Sequence, residues 1–317
     1  MTTIAGIDLG GTKIFGARVS RADDGSFLVG DDTKRATPTT SVDGIVAAIA
    51  DAIAELGPTP DLVGIGTPGV IAPDDGVVEY APNLAGFDEP VPLASLVADA
   101  VGAPVVIGND VNMAALGEVR AGTAVGSDDV LAVWMGTGLG AGLVLDGSLR
   151  VGPNGLAGEL GHSTVVPDGR PCPCGGRGHV EAYIGRRALE ARARELHAEG
   201  RATRLVELAG TKRMKSKVFS TAYEEGDAVA VELIDEGLEM LTLAIANVLV
   251  IVDVTTVVIG GGLGERLGDL AVERIGDGLA SLHYAGALPT IVEASLGDHA
   301  GALGAAFHAF ESLGARP

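Results

Sequence analysis

Residues 3–20 read TIAGIDLGGTKIFGARVS. Apolar residues run up to Asp8, Gly10 and Gly11 interrupt them, and Thr12 and Lys13 open a second run, Ile14 to Ser20. That second run alternates and shows no helical period, so the stretch is expected to be strand, glycine turn, strand: a hairpin. The distinction matters, because the Gly-rich loops that hold phosphates in Walker and dinucleotide-binding proteins pass from strand into helix. A glycine hairpin can still offer consecutive N–H groups and a hydroxyl to phosphate oxygens. Asp8 would then stand where Mg²⁺ or its water shell meets it. Taken alone, the motif is equally an ordinary tight turn.

The arrangement recurs. Residues 128–152, DDVLAVWMGTGLGAGLVLDGSLRVG, again place a strand before a glycine turn, Gly136-Thr137-Gly138, and a second strand after it. Two such hairpins, each with a Gly-Thr pair, suggest two similar domains holding one polyphosphate from opposite sides. Between them, Ser41 to Leu56 has helical spacing, ended by Gly57-Pro58, and Leu93 to Val101 is a second helix. The segment 104–119, PVVIGNDVNMAALGEV, reads as strand, then Asn109-Asp110, then helix. The C-terminal end of a strand, where a helix opens, is where α/β proteins place ligands; Asp110 is equally suited to cap that helix. Further on, 184–199 is expected as a charged helix, 201–220 as irregular with a basic cluster, and 227–252 as a long apolar helix. In TTVVIGGGLGERL a strand meets Gly260-Gly261-Gly262 and a helix, and the chain closes with a strand and a small-residue helix.

Residues 155–181, GLAGELGHSTVVPDGRPCPCGGRGHVE, hold both cysteines and two of the six histidines. Cys172 and Cys174 are separated by one residue, a poor spacing for a disulfide with each other. Both can turn toward one ion. His162, Cys172, Cys174 and His179 make a Cys2His2 set suited to tetrahedral structural zinc, with glycines at 175, 176 and 178 to let the backbone curl. Glu159 and Glu181 flank the set, as substrate ligands, as supports for the metal ligands, or as solvated acids.

At 317 residues the chain exceeds one ordinary core, so two α/β domains are expected. The boundary is placed near Gly117, giving 1–117 and 118–300, with a final helix at about 301–317 returning to the first domain. A formal charge of −20 repels phosphate backbones and argues against nucleic acid as a partner. No basic and apolar leader precedes the first strand, and the apolar run 241–252 contains Asn247 and is too short to span a bilayer. Neither secretion nor a membrane is expected. Cysteines set for metal rather than disulfides point to the cytoplasm.

These motifs together resemble the ROK family of sugar kinases and repressors, within the actin-like ATPase superfamily. DLGGTK at 8–13 resembles its first phosphate motif, Asn109-Asp110-Val111-Asn112 its NDxN motif, and Gly136-Thr137-Gly138 its second phosphate motif. Glu159 to His162 resembles ExGH, and Cys172 to Glu181 resembles CxCGxxGCxE with His179 in place of the third cysteine. Zinc accepts imidazole as it does thiolate.

The resemblance implies two actin-like (ribonuclease H-like) α/β domains with a cleft between them. It implies ATP-dependent phosphorylation of a hexose at the 6-hydroxyl, with Asp110 as general base and Asn83, Asn109, Asp110, Glu159, His162 and Glu181 around the sugar. ATP would meet Gly10, Gly11, Thr12, Lys13, Gly136, Thr137 and Gly138, with Mg²⁺ near Asp8 and the adenosine beside Gly261 and Gly262. A homodimer or homotetramer is implied as well. Glucose is the first expectation. Fructose, mannose, an N-acetylated sugar, or polyphosphate as donor stay open, because the loops around Thr67, Pro68, Asn83 and Gly155 would decide. The family's repressors carry a helix-turn-helix ahead of the first strand, whereas here that strand begins at the N-terminus, so a kinase is expected.

Overall fold

The computed structural model describes residues 2–22, 26–72, 76–282 and 284–314. Residues 315–317 of the expected final helix lie outside the described residues. The chain divides into two compact units: 1–128, 142–158 and 295–317 in the first, 129–141 and 159–294 in the second.

The first unit begins with the expected hairpin. β1 (Thr2–Leu9) and β2 (Lys13–Arg21) are antiparallel, with Leu9 opposite Ile14 and Asp8 opposite Phe15. β3 (Phe27–Ala36) lies beyond β2 at the sheet edge. Its FLVGDDTKRA is mostly exposed and lacks an apolar alternation, so the sequence pattern does not announce it. α1 (Val42–Glu55) is capped by Ser41, whose hydroxyl accepts from Gly44 N–H, and buries Ile45, Ile49 and Ile53. β4 (Leu62–Thr67) follows, then the short pair β5 (Val70–Ile71) and β6 (Val78–Tyr80). α2 (Leu93–Val101) leads to β7 (Val105–Asn109) and α3 (Asp110–Ala121). The sheet order is β3-β2-β1-β4-β7, with β1, β4 and β7 parallel. Gly117, the expected domain boundary, lies inside α3.

Alternation along β1 sorts its two faces. Ala5, Ile7 and Leu9 join the cluster under α1 and α2, with Val63, Ile65 and Phe87. Ile4 belongs to a second cluster with Leu116, Leu303 and Phe307. On that second face Gly6 and Gly64 let a helix backbone lie against the sheet. A Cβ on Gly6 would sit 1.9 Å from the Ala302 carbonyl oxygen, and one on Gly64 1.8 Å from that of Ala305. The small-residue run of the C-terminal helix exists for this approach. We expect Gly64→Ala to destabilise the fold by about 3 kcal/mol or more. Gly276→Ala, whose new methyl meets only Ile291 Cδ1 at 3.7 Å, should stay within about 1 kcal/mol. Urea unfolding of both variants checks the contrast.

In the second unit β8 (Val130–Met135) meets β9 (Leu139–Leu145) through the second glycine turn. β9 runs on past Ala141 into the first unit, where it pairs with β10 (Ser148–Arg150). After the cysteine loop come α4 (Glu181–Ile184) and α5 (Arg186–Ala198). The expected helix 184–199 is thus broken at Gly185, which is extended and close to the turn: its Cβ would lie 3.3 Å from Gly138 Cα.

The stretch 201–220, expected irregular, instead holds α6 (Arg204–Ala209) and the start of α7 (Ser216–Glu224). Thr203 caps α6 and is itself held by Asp227, which also accepts from Arg204 N–H; α7 buries Phe219 and Ala222. Distant caps and two buried side chains outweigh a basic run that reads as solvated loop. α8 (Ala228–Val252) is the long apolar helix, capped by Asp227. β11 (Thr256–Gly260), α9 (Gly261–Leu267), α10 (Asp269–Leu282) and β12 (Thr290–Glu293) complete the unit, with β8, β11 and β12 parallel. The last α-helix, α11 (Ala300–Ala309), continues into a π-helical turn, Phe310–Gly314, and belongs to the first unit. Among the described residues no helix is long and apolar enough to cross a membrane.

Candidate active site

The first unit gathers its polar side chains at the C-terminal ends of β1, β4 and β7. At the tip of the first hairpin Gly10 N–H donates to the Lys13 carbonyl at 2.9 Å, and Thr37 pins the turn through Gly10 and Thr12. Asn83 borders this turn: a Cβ on Gly11 would lie 3.1 Å from its carbonyl oxygen. Asn109 ends β7 with its side chain capping α3, accepting from Val111 N–H at 3.0 Å and Asn112 N–H at 3.2 Å. Asp110 is the first residue of α3, and its Oδ1 accepts from Val111 N–H at 2.9 Å. The partial positive charge of a helix N-terminus favours a carboxylate there.

Asp8 projects from the face of β1 that meets α11, where a Cβ on Gly301 would lie 2.9 Å from its carboxyl carbon. Burial pushes the Asp8 carboxyl up to about 7; Asp110 adds to the rise, Lys13 opposes it, and Asp298 adds a little. Lys13 is held by Asp298, which also binds Lys34 at 2.8 Å. Those two lysines hold Asp298 down at about 2. A partly buried carboxyl beside a second carboxylate suits a hard divalent cation, so Asp8 fits the place expected for Mg²⁺. The same arrangement penalises the protein without metal. A raised native pKa means its stability contribution is whole below about pH 4 and is lost as pH rises through 7. Asp8→Asn should therefore gain stability over the parent between pH 5 and 8, by on the order of 2–4 kcal/mol. Denaturation in chelator across that range checks this; a difference that does not grow with pH contradicts it.

Beside Asn109 lies a cavity of about 80 Å³, bordered also by Gly69, Gly155, Asn112 and His308. Asn112 Oδ1 is buried there without a hydrogen-bond partner among the described residues, and burial holds His308 below its usual range. Neither residue was given a role from sequence. Asn112 stands in the NDVN motif, so a signal existed; His308 carries none.

In the second unit the Gly136–Gly138 turn echoes the first, with Gly136 N–H donating to the Gly138 carbonyl at 2.9 Å. The turn is docked on the head of α5: Arg186 N–H and Arg187 N–H donate to the carbonyls of Gly136 and Thr137. Glu181, expected at the sugar, has Oε2 accepting from Leu139 N–H at 2.9 Å, so it also fixes the turn. Gly138 must be glycine for this, since a Cβ would lie 2.2 Å from that oxygen. Gly261 follows β11 with φ +80°, and a Cβ on it would lie 2.8 Å from the Met135 carbonyl oxygen. Gly262 lies next in α9.

The four residues of the expected metal set come together: one ligand atom from each of His162, Cys172, Cys174 and His179 lies within 4.8 Å of all the others. Cys174 Sγ is 3.2 Å from His179 Nδ1. Tetrahedral zinc with bonds of about 2.0–2.3 Å needs donor separations of about 3.3–3.8 Å, a small contraction from the spacing seen here. The glycines do what the spacing implies: Gly175 and Gly178 have φ of +93° and +70°, and a Cβ on Gly178 would lie 1.6 Å from the Val166 carbonyl oxygen. Burial, with Cys174 and Glu181 nearby, pushes the Cys172 thiol up to about 11, so without a cation it stays a thiol. His162 Nε2 is 3.7 Å from Glu159 Oε2, and both side chains are exposed.

The family model described as "ROK family" matches residues 4–311. The chain is 36% identical to a glucokinase of Streptomyces coelicolor over 310 residues, 95% of each protein. It is 33% identical to a glucokinase of Thermotoga maritima over 98% of each. Among solved structures, a ROK family glucokinase from Streptomyces griseus in complex with glucose and AMPPNP superposes with a TM-score of 0.80 at 36% identity, covering 98% of this chain and 99% of that one. With a match that runs nearly end to end, and with its motif residues in the arrangement just described, the chain belongs to the ROK family.

Proposed function

We propose that this protein transfers the terminal phosphoryl group of ATP to the 6-hydroxyl of a hexose, glucose foremost. The observation that carries the reading is Asp110, a carboxylate at the head of α3 directly after β7, with Asn109 capping the helix beside it. Full-length similarity to glucokinases supports it. A hydroxyl attacks only as its proton finds an acceptor, and Asp110 would take that proton. Asn83, Asn109, Glu159, His162 and Glu181 would bind the remaining hydroxyls, carboxylates accepting strong bonds from them. Glycine-turn N–H groups and the Thr12 and Thr137 hydroxyls would hold donor phosphates, with Lys13 adding charge and Gly261 and Gly262 leaving room for adenosine. Mg²⁺, when bound, neutralises phosphate charge, and Asp8 would hold it directly or through water.

His162, Cys172, Cys174 and His179 would hold zinc, fixing the tautomer of His162 and the course of the loop that carries Glu159 and Glu181. Such a loop gives the sugar ligands a rigid base. A homodimer or homotetramer is the assembly we propose, on the family resemblance alone. A panel of hexoses tested by ADP release, with ATP and polyphosphate as donors, checks the reading. Glucose with ATP should give the highest kcat/KM, and a higher value for an N-acetylated sugar would reassign the substrate.

A further inference from the structure

The glycine turn of the second unit carries a charge arrangement that the hexokinase reading leaves unused. Arg186 Nη2 donates to Thr137 Oγ1 at 2.8 Å, and Arg213 Nη2 donates to the same oxygen at 3.1 Å. A hydroxyl has room for two incoming bonds and has one proton to give. Here both incoming bonds come from cations, so the Thr137 O–H must donate outward. Among the described residues nothing accepts it.

The electrostatics are otherwise hard to account for. Arg186 opens α5, whose first turn holds no acidic residue, so a cation sits at the positive end of a helix. Burial and the neighbouring Arg213 guanidinium depress the Arg186 pKa, and only Glu190 opposes them. Glu190 is itself engaged by Arg194 at 2.9 Å and by Met214 N–H at 3.0 Å. Several other arginines of this unit have carboxylate partners, among them Arg170 with Glu236, Arg201 with Glu232 and Arg204 with Glu225. Among the described residues Arg186 and Arg213 form no ion pair. In a chain of net charge −20, two adjacent guanidiniums sharing one neutral hydroxyl call for an anion.

We propose that Arg186, Arg213 and the Thr137 hydroxyl form an anion clamp that takes a phosphate group of the phosphoryl donor. Two planar guanidinium forks and one O–H match the three oxygens of a phosphate. The position fits a donor. Thr137 stands in the turn, Arg186 Nη1 bonds the Met214 carbonyl at 3.0 Å, and Ser216 Oγ lies 3.5 Å from where a Cβ on Gly262 would be. The segment that carries Arg213 therefore runs from the turn to the glycines assigned to adenosine. Lys212, Lys215 and Lys217, exposed on the same segment, continue the positive charge. The same chemistry accepts a nucleotide phosphate or a phosphate of an inorganic chain. The clamp rests on the proposed kinase reading for its biological ligand, not for its ability to bind phosphate.

The test has two arms on the full-length, metal-loaded protein. The first is calorimetric binding of inorganic tripolyphosphate without sugar. Arg213→Gln should weaken binding at least tenfold with an unchanged melting temperature, and Arg186→Gln should weaken it further. Arg213→Lys, a point charge without the fork, should fall between Gln and the parent. The second arm is KM. A rise for ATP assigns the clamp to the nucleotide, and a rise for polyphosphate alone assigns it to chain phosphates; KM for glucose should move less than twofold in either case. If tripolyphosphate does not bind the parent, or binds the Gln variants as tightly as the parent with both donor KM values unmoved, the clamp is refuted. If no hexose is phosphorylated but tripolyphosphate binding still depends on Arg213, the kinase reading fails and the clamp stands.

Discussion

Asp110→Asn should bind glucose with nearly parental affinity and lose turnover by about 10³-fold or more. The substitution is chosen for what it keeps. Asp110 is the first residue of α3, and its Oδ1 accepts from Val111 N–H at 2.9 Å. An amide oxygen can accept the same bond, and the Asn109 cap on Val111 and Asn112 is untouched. The fold should therefore hold, with a melting temperature within a few degrees of the parent. What disappears is the carboxylate assigned to take the proton of the 6-hydroxyl. Because phosphoryl transfer otherwise depends on alignment and charge neutralisation, the loss should fall on kcat and leave KM for glucose nearly alone. Near-parental turnover in a folded Asp110→Asn protein would remove the base assignment.

Cys172→Ser should lose bound zinc and at least about 10²-fold in activity, with a clear drop in thermal stability. Cys172 is the buried member of the set and packs with Ala182 and Tyr183 beneath the loop. Its hydrophobic cluster is small, and only a few backbone bonds, such as Val165 N–H to Gly178 at 2.9 Å and Val180 N–H to Ser163 at 3.0 Å, join its two ends. The ion would add a tie among His162, Cys172, Cys174 and His179 across that pairing. Glu181, whose Oε2 holds the Leu139 N–H, begins the helix directly after it. Loosening the knot should thus disturb the sugar ligands and the phosphate turn together. His179→Cys restores the third cysteine of the family motif and should keep both metal and activity. Metal analysis of the purified parent should give about one zinc per chain; a folded, active protein without metal would contradict the assignment.

Both glycine hairpins were legible because β-alternation and paired glycines are local signals. In β1 the pattern even sorts faces, placing Gly6 and Asp8 toward α11 and Ile7 and Leu9 toward α1. The convergence of His162, Cys172, Cys174 and His179 was legible because scarce residue types cluster in one loop. Edge strand β3 was not, since its exposed FLVGDDTKRA has no core face to mark. Helices α6 and α7 were hidden by a basic run whose stabilising partners, Asp227 and the bed under Phe219, lie elsewhere in the chain. The break at Gly185 follows from the close passage of Gly138, a tertiary contact no local window contains. For the same reason the convergence of Arg186 and Arg213 on Thr137 cannot be read from spacing: three distant segments meet there. Glu181 shows a subtler limit. Its motif points to sugar binding, while the structure shows the same carboxylate also fixing a backbone turn.

The most direct measurement is product analysis of the parent protein with glucose, ATP and Mg²⁺, following ADP and the sugar phosphate together by ³¹P and ¹³C NMR. The account predicts one glucose 6-phosphate for each ADP, with ADP formation nearly abolished when glucose is omitted. Phosphate on another hydroxyl, or ADP release indifferent to every hexose in a folded and metal-loaded sample, would contradict it.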